Sequence, residues 1–221
     1  MKKILILSLV MVGFVTEFYG QTLSEFPNFK RYEADNVTAM APEAIFIGNS
    51  ITEQWYAKHP DFFKENKFFC RGIGGQTAPQ MLLRFQRDVV NLRPVAVVIN
   101  AGINDIAENT GAYSQAYTFD CIRSMAEIAE ANGIRVILTS VMPAGKFPWR
   151  ESIEDVPAKI DSLNKLIKEY AARKGFTYVD YNTPLRAADG SMIPEYTTDG
   201  VHLTSEGYDV IEKVLLELFQ N

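Results

Sequence analysis

Short apolar runs alternate along this chain with longer stretches of helical period. Strands are predicted at 44–47, 67–70, 95–100, 135–140 and 177–181. Between them, apolar residues recur three and four positions apart, the spacing that lines one face of a helix. Met81, Leu82, Phe85, Val89 and Leu92 form one such stripe, which Pro94 prevents from continuing. Tyr117, Cys121, Ile122, Met125, Ile128 and Ala129 form the next, closed by Asn132-Gly133. Ile160, Leu163, Ile167, Tyr170 and Ala171 follow, closed by Gly175, and Tyr208, Ile211, Val214, Leu215 and Leu218 mark a final helix. Strand and helix in alternation are the signature of βαβ units, so the predicted fold is α/β around a parallel sheet.

The first residues differ from the rest. Lys2 and Lys3 precede an apolar run over 4–15, followed by polar and small residues up to Gly20. This reads as a secretory signal peptide over 1–20, because twelve residues are too few to cross a bilayer core of ~30 Å. The expected destination is outside the cytoplasm, periplasmic or secreted, with no integral membrane contact after cleavage. Residues 21–42 are polar with scattered aromatics and read as an N-terminal extension packed on a domain spanning 43–221.

Composition narrows the function classes. With 221 residues, 47% hydrophobic and 22% charged, the chain suits one globular domain. A net charge of -5 without a run of like charges argues against nucleic acid or an anionic membrane surface as partner. Cys70 and Cys121 show no CxxC spacing and read as buried free thiols rather than a disulfide. The two histidines, His59 and His202, lie far apart and outside any HExxH pattern, so neither a metal nor another cofactor is expected.

Four polar clusters follow strands or lie near the chain end: Gly48-Asn49-Ser50-Ile51-Thr52, Gly72-Ile73-Gly74-Gly75-Gln76-Thr77, Gly102-Ile103-Asn104-Asp105 and Asp199-Gly200-Val201-His202. Alone, each has an ordinary structural explanation as a helix cap or turn. Together they supply the parts that acyl transfer to a serine requires. Ser50 stands at a strand-to-helix junction and is the candidate nucleophile. A base titrating near working pH must be histidine. His59 sits in a charged, loop-like segment and reads as a solvated surface residue. His202 follows Asp199 by three, with Gly200 between, so the carboxylate can reach Nδ1 and leave Nε2 facing Ser50. The backbone N–H groups of Ser50 and Gly75 and the side-chain amide of Asn104 are the candidate oxyanion donors.

These four blocks, in this order, resemble those of the SGNH, or GDSL-like, hydrolase superfamily, from Ala44 to about Tyr208. The resemblance implies Ser50 as nucleophile, Gly75 and Asn104 as oxyanion donors, and Asp199 with His202 as the rest of a triad. It also implies a three-layer, flavodoxin-like sandwich with a five-stranded parallel sheet in the order 2-1-3-4-5. One departure stands out: Asn49 occupies the place of the usual aspartate before the serine, keeping an acceptor while losing a charge.

Rival motifs are incomplete. The glycine run at 72–77 lacks the P-loop lysine and the last glycine of GxGxxG, and Ser50 is followed two residues later by Thr52 rather than the glycine of GxSxG. The rival from another class is a silent module that holds an acylated glycan or lipid without cleaving it. Within the superfamily, lysophospholipases and platelet-activating-factor-type acetylhydrolases are the alternatives. The absence of a long apolar insertion favours short acyl groups. Trp55 and Tyr56 after the nucleophile, and Phe147 and Trp149 in the loop over 141–155, are candidates for stacking on a sugar ring. The expected substrate is a small-molecule or glycan ester, with an O-acetylated carbohydrate foremost.

Overall fold

The computed structural model describes residues 24–39 and 41–219. The signal-peptide reading of 1–20 lies outside the described residues. A 3-10 turn at Phe29–Tyr32 runs into the short helix α1 at Glu33–Thr38. Five strands follow, β1 (Ala44–Gly48), β2 (Phe68–Gly72), β3 (Ala96–Ile99), β4 (Arg135–Thr139) and β5 (Thr177–Val179). All four neighbouring pairs are parallel, and the order across the sheet is β2-β1-β3-β4-β5. The connecting helices are α2 (Ser50–Lys58), α3 (Pro60–Glu65), α4 (Ala78–Asp88), α5 (Ile103–Ile106), α6 (Gln115–Ala131), α7 (Val156–Lys174) and α8 (Ser205–Leu216).

Every residue of β1 and β3 is buried, as a strand covered by helices on both faces must be. On one side α6 packs against both α4 and α7; on the other α2 packs with α3, and Trp55 of α2 stacks on Tyr208 of α8 with ring centroids 5.7 Å apart. Phe46 of β1 holds this second layer together through edge contacts with Trp55 at 5.4 Å and Phe63 at 5.3 Å. Burial of each such side chain is worth ~1.5–3 kcal/mol relative to exposure. The strand order reverses at β1, which has β2 on one side and β3 on the other. Ligands of open α/β sheets bind at the carboxyl ends of strands at such a reversal, and the loops carrying Ser50 and Asn104 leave β1 and β3 there.

Three helix expectations need correction. The stripe from Met81 to Leu92 is not one α-helix: α4 ends at Asp88 and a 3-10 turn at Val90–Leu92 carries the last apolar residues inward. Tyr117 leaves its stripe and is 59% exposed, because Thr118 takes the inward place and donates its hydroxyl to Asp105 at 3.3 Å. The segment after Lys58, read as a loop, forms α3, which buries Phe62 and Phe63. Cys70 and Cys121 are both buried and unpaired.

Candidate active site

Ser50 is the first residue of α2, and Asn49 caps that helix by accepting the Ile51 N–H on Oδ1 at 3.0 Å. The cap needs only an acceptor, so Asn49 performs locally what an aspartate would. The turn from β1 into α2 is tight enough that a Cβ on Gly48 would lie 2.0 Å from Thr52 Oγ1. A residue other than glycine there would push α2 off the strand end and move the serine with it.

The chain then brings Asp199 and His202 back over that serine. Asp199 Oδ1 accepts the N–H groups of Val201 at 3.0 Å and His202 at 2.8 Å, folding the turn on itself. Its other oxygen, Oδ2, lies 2.7 Å from His202 Nδ1, and His202 Nε2 lies 2.9 Å from Ser50 Oγ. A proton on Nδ1 satisfies the carboxylate and leaves the Nε2 lone pair to accept the serine hydroxyl. Burial alone would raise the Asp199 carboxyl, but hydrogen bonds from the His202 N–H and ring and from the Val201 N–H hold it below the usual carboxylate range. It therefore stays ionised at neutral pH. The geometry permits a proton to pass from Oγ to Nε2 while the anion steadies the ring.

The turn after β2 lies against this serine, since a Cβ built on Gly74 would come 3.9 Å from Ser50 Cβ. Gly75 adopts a φ of 76°, a left-handed conformation that favours glycine. Among the described residues, the N–H groups of Ser50 and Gly75 have no hydrogen-bond partner. Asn104 is buried to 3% exposure and donates one amide hydrogen to Gln76 O at 3.0 Å. The second hydrogen of that amide remains for a ligand. Asp105 beside it anchors the loop by accepting the Ala78 N–H at 3.0 Å, and burial pushes its carboxyl up to about 6 against that bond and the one from Thr118.

Of the four aromatic candidates, only Trp149 is placed to meet a substrate. It is 43% exposed, and its ring centroid lies 6.1 Å from that of His202. Trp55 is 2% exposed and belongs to the core, donating its indole N–H to Glu212 at 2.7 Å. Phe147 is fully buried, with its ring 5.4 Å from that of Trp149. Tyr56 is exposed but lies toward the far end of α2, in a cleft of about 680 Å³ shared with Pro42, Glu43 and Phe63. The helical period explains the outcome: α2 runs away from the strand end, so the residues after Ser50 descend along the sheet. His59, read as solvated, is instead held, with Nδ1 2.8 Å from Glu212 Oε1 and its ring against Tyr208. His59, Asp209 and Glu212 offer ligand atoms within 4.8 Å of one another, at the end of α2 opposite Ser50.

Sequence reasoning missed two residues that shape the site. Asn109 accepts the Trp149 indole N–H at 3.2 Å and donates to Gly75 O at 3.1 Å, and nothing in its sequence surroundings signals this. Arg84 is fully buried and donates to Gly48 O at 3.1 Å, Arg71 O at 2.8 Å and Gln76 Oε1 at 2.6 Å. Its signal was legible, since Arg84 and Asp88 are a charged pair four residues apart inside the apolar stripe of α4.

The chain is similar to known proteins over most of its length. A model of the GDSL-like lipase/acylhydrolase family matches residues 46–210. The solved structure of a GDSL-like lipase from Bacteroides thetaiotaomicron VPI-5482 is 51% identical, covering 89% of this chain and 98% of that one, with a TM-score of 0.87. Among curated proteins, the isoamyl acetate-hydrolyzing esterase 1 homolog of Bos taurus is 27% identical over 203 residues, 81% of this chain and 82% of that protein. The N-acylneuraminate cytidylyltransferase of Escherichia coli O18:K1:H7 is 26% identical over 194 residues, 86% of this chain but only 42% of that protein's length.

Proposed function

The chain belongs to the GDSL-like lipase/acylhydrolase family and is a carboxylic ester hydrolase, and from that premise we propose that it works through an acyl-enzyme on Ser50. The observation that carries the reading is the continuous pair of contacts, Ser50 Oγ to His202 Nε2 at 2.9 Å and His202 Nδ1 to Asp199 Oδ2 at 2.7 Å. Ser50 Oγ attacks the ester carbonyl carbon as its proton moves to His202 Nε2. Negative charge on the carbonyl oxygen meets the N–H groups of Ser50 and Gly75 and the free amide hydrogen of Asn104. Collapse breaks the bond to the alkoxy oxygen, and His202 returns the proton to the departing alcohol. Water then loses a proton to the same nitrogen, attacks the acyl carbon and releases the carboxylic acid, while Ser50 regains its hydrogen. Asp199 stays an anion throughout.

The substrate class in this proposal is a short-chain ester, foremost an O-acetyl group on a carbohydrate or similar small molecule, met outside the cytoplasm if residues 1–20 act as an export signal. Two observations support it. The curated relative that matches over most of its length is named for hydrolysing isoamyl acetate, an ester of a small acid. Trp149 presents a partly exposed ring beside His202, where the alcohol portion of a sugar ester can lie flat against it. Hydrolysis of p-nitrophenyl acetate against octanoate, and acetate release from O-acetylated glycans against fatty-acid release from lysophospholipid, tests the proposal. Preference for acetyl and for glycan supports it; preference for long chains or lysophospholipid points to a lipid substrate. A folded protein with no turnover on any of them points to a binding module.

A further inference from the structure

We propose that Glu53 is a positioning residue for the reaction, holding the Gly74 peptide so that the next N–H along the chain, that of Gly75, is left to the carbonyl oxygen of the substrate. This rests on the reading of Ser50 and Gly75 given above.

The hydrogen bonds of the turn lead to Glu53. Ile73 N–H donates to Gly48 O at 3.1 Å, and Gly74 N–H to Glu53 Oε2 at 2.9 Å. Gln76 N–H donates to Ile73 O at 3.3 Å, Thr77 N–H to Gln80 Oε1 at 3.0 Å and Ala78 N–H to Asp105 Oδ2 at 3.0 Å. Among the described residues, Gly75 alone in this run keeps an unpartnered N–H. The flanking donors are tied on both sides, so the direction of the free one follows from theirs. Without Glu53 the Gly74 N–H would lose its partner, and the bond from Asn109 Nδ2 to Gly75 O at 3.1 Å would be left as the one side-chain hold on a pair of glycines whose backbone is otherwise free to turn.

The placement of Glu53 is suited to this. It stands three residues after Ser50 on α2, so nucleophile and carboxylate share one face of the same helix. A Cβ on Gly74 would lie 3.0 Å from Glu53 Oε2 and 3.9 Å from Ser50 Cβ, which puts the turn across both. A bond from a backbone N–H to a carboxylate is charge-assisted, roughly twice as strong as a neutral one. The other oxygen, Oε1, takes Arg31 Nη2 at 3.2 Å from the segment before β1. That segment braces the same turn elsewhere: Tyr32 Oη donates to Gly72 O, Gln76 Nε2 to Pro27 O at 2.8 Å and Gln80 Nε2 to Phe26 O at 2.7 Å. Arg84 closes the turn from below by donating to the Gln76 side chain.

Steady-state hydrolysis of p-nitrophenyl acetate by the whole protein, with a thermal melt of each variant, tests this. Loss of one oxyanion donor costs ~100–1,000-fold, so a misdirected donor in Glu53→Ala is expected to lower kcat ~10–100-fold with little change in KM or Tm. Glu53→Gln keeps a carbonyl acceptor for Gly74 and is expected within ~5-fold of wild type, whereas Glu53→Asp keeps the charge, loses the reach and behaves like the alanine variant. Arg31→Ala gives a smaller loss that disappears when Glu53 is already alanine. Wild-type kcat in Glu53→Ala or Glu53→Asp, or Glu53→Gln no better than Glu53→Ala, overturns the proposal. If Glu53→Ala does not fold, the contrast between Gln and Asp decides. Ser50→Ala, run alongside, separates the two levels: turnover surviving in it removes the nucleophile reading itself, and inactivity there beside a fully active Glu53→Ala removes only the role of Glu53.

Discussion

The indole of Trp149 lies beside the imidazole of His202, with ring centroids 6.1 Å apart and planes inclined by 39°. Asn109 fixes the indole through its N–H, and Phe147 packs against its ring. The exposed part of the ring therefore forms a wall next to His202, the base in the proposed mechanism. Trp149→Ala is expected to raise KM for an O-acetylated oligosaccharide by about 3- to 10-fold, the equivalent of one lost ring contact, with kcat nearly unchanged. The same variant should change KM for ethyl acetate little, and the comparison of the two substrates checks the assignment.

Asn104 supplies an amide hydrogen from a buried position, held by Gln76 O. On the proposed mechanism, Asn104→Ala should lower kcat ~100–1,000-fold while leaving KM close to wild type, because the contact it would remove is one to the developing oxyanion rather than to the ground state. Pre-steady-state kinetics on p-nitrophenyl acetate would place the loss in acylation.

Asp199 holds the His202 ring and the turn that carries it. Its folded pKa is depressed below the ordinary carboxylate value, so its contribution to stability is present above the unfolded pKa of about 3.9 and is lost as pH falls through the folded value. Asp199→Asn should flatten the acid limb of the stability curve below about pH 4 and lower kcat by about two to four orders of magnitude through the wrong ring tautomer. Urea midpoints at a series of acid pH values and turnover at neutral pH check the two halves separately.

Asp105 behaves in the opposite sense. Burial pushes its folded pKa up to about 6, with the bonds from Ala78 and Thr118 opposing the rise. The folded protein thus keeps this proton where the unfolded chain has released it. Its contribution favours folding fully below about pH 4 and is lost as pH rises through about 6. Asp105→Asn should abolish that slope, so the wild-type minus variant difference in unfolding free energy becomes less favourable to wild type as pH rises from about 4 to about 7. Denaturant titrations across that window measure it.

Much of this architecture was readable from residue spacing. The five predicted strands lie within a residue or two of the observed ones, because β1 and β3 are continuous apolar runs and glycine or proline punctuates the helices that follow. Asp199 and His202 were legible for a local reason, since their contact spans only three residues. The failures share a cause in tertiary context. Trp55 sits five residues from the serine, yet one and a half turns of α2 carry it into the aromatic core. His59 has charged neighbours in sequence, but its partner Glu212 comes from the last helix. Asn109 acts through Gly75 and Trp149, each more than thirty residues away, a distance at which spacing carries no information.

The nucleophile is the point on which the mechanism turns. Acid-quenched wild-type protein, mixed briefly with p-nitrophenyl acetate at low pH and digested for mass spectrometry, should carry one acetyl group on the peptide that contains Ser50. Folded Ser50→Ala should carry none there and hydrolyse the ester no faster than buffer. An acetyl group on another residue as the competent intermediate, or undiminished turnover in a folded Ser50→Ala protein, would contradict the mechanism.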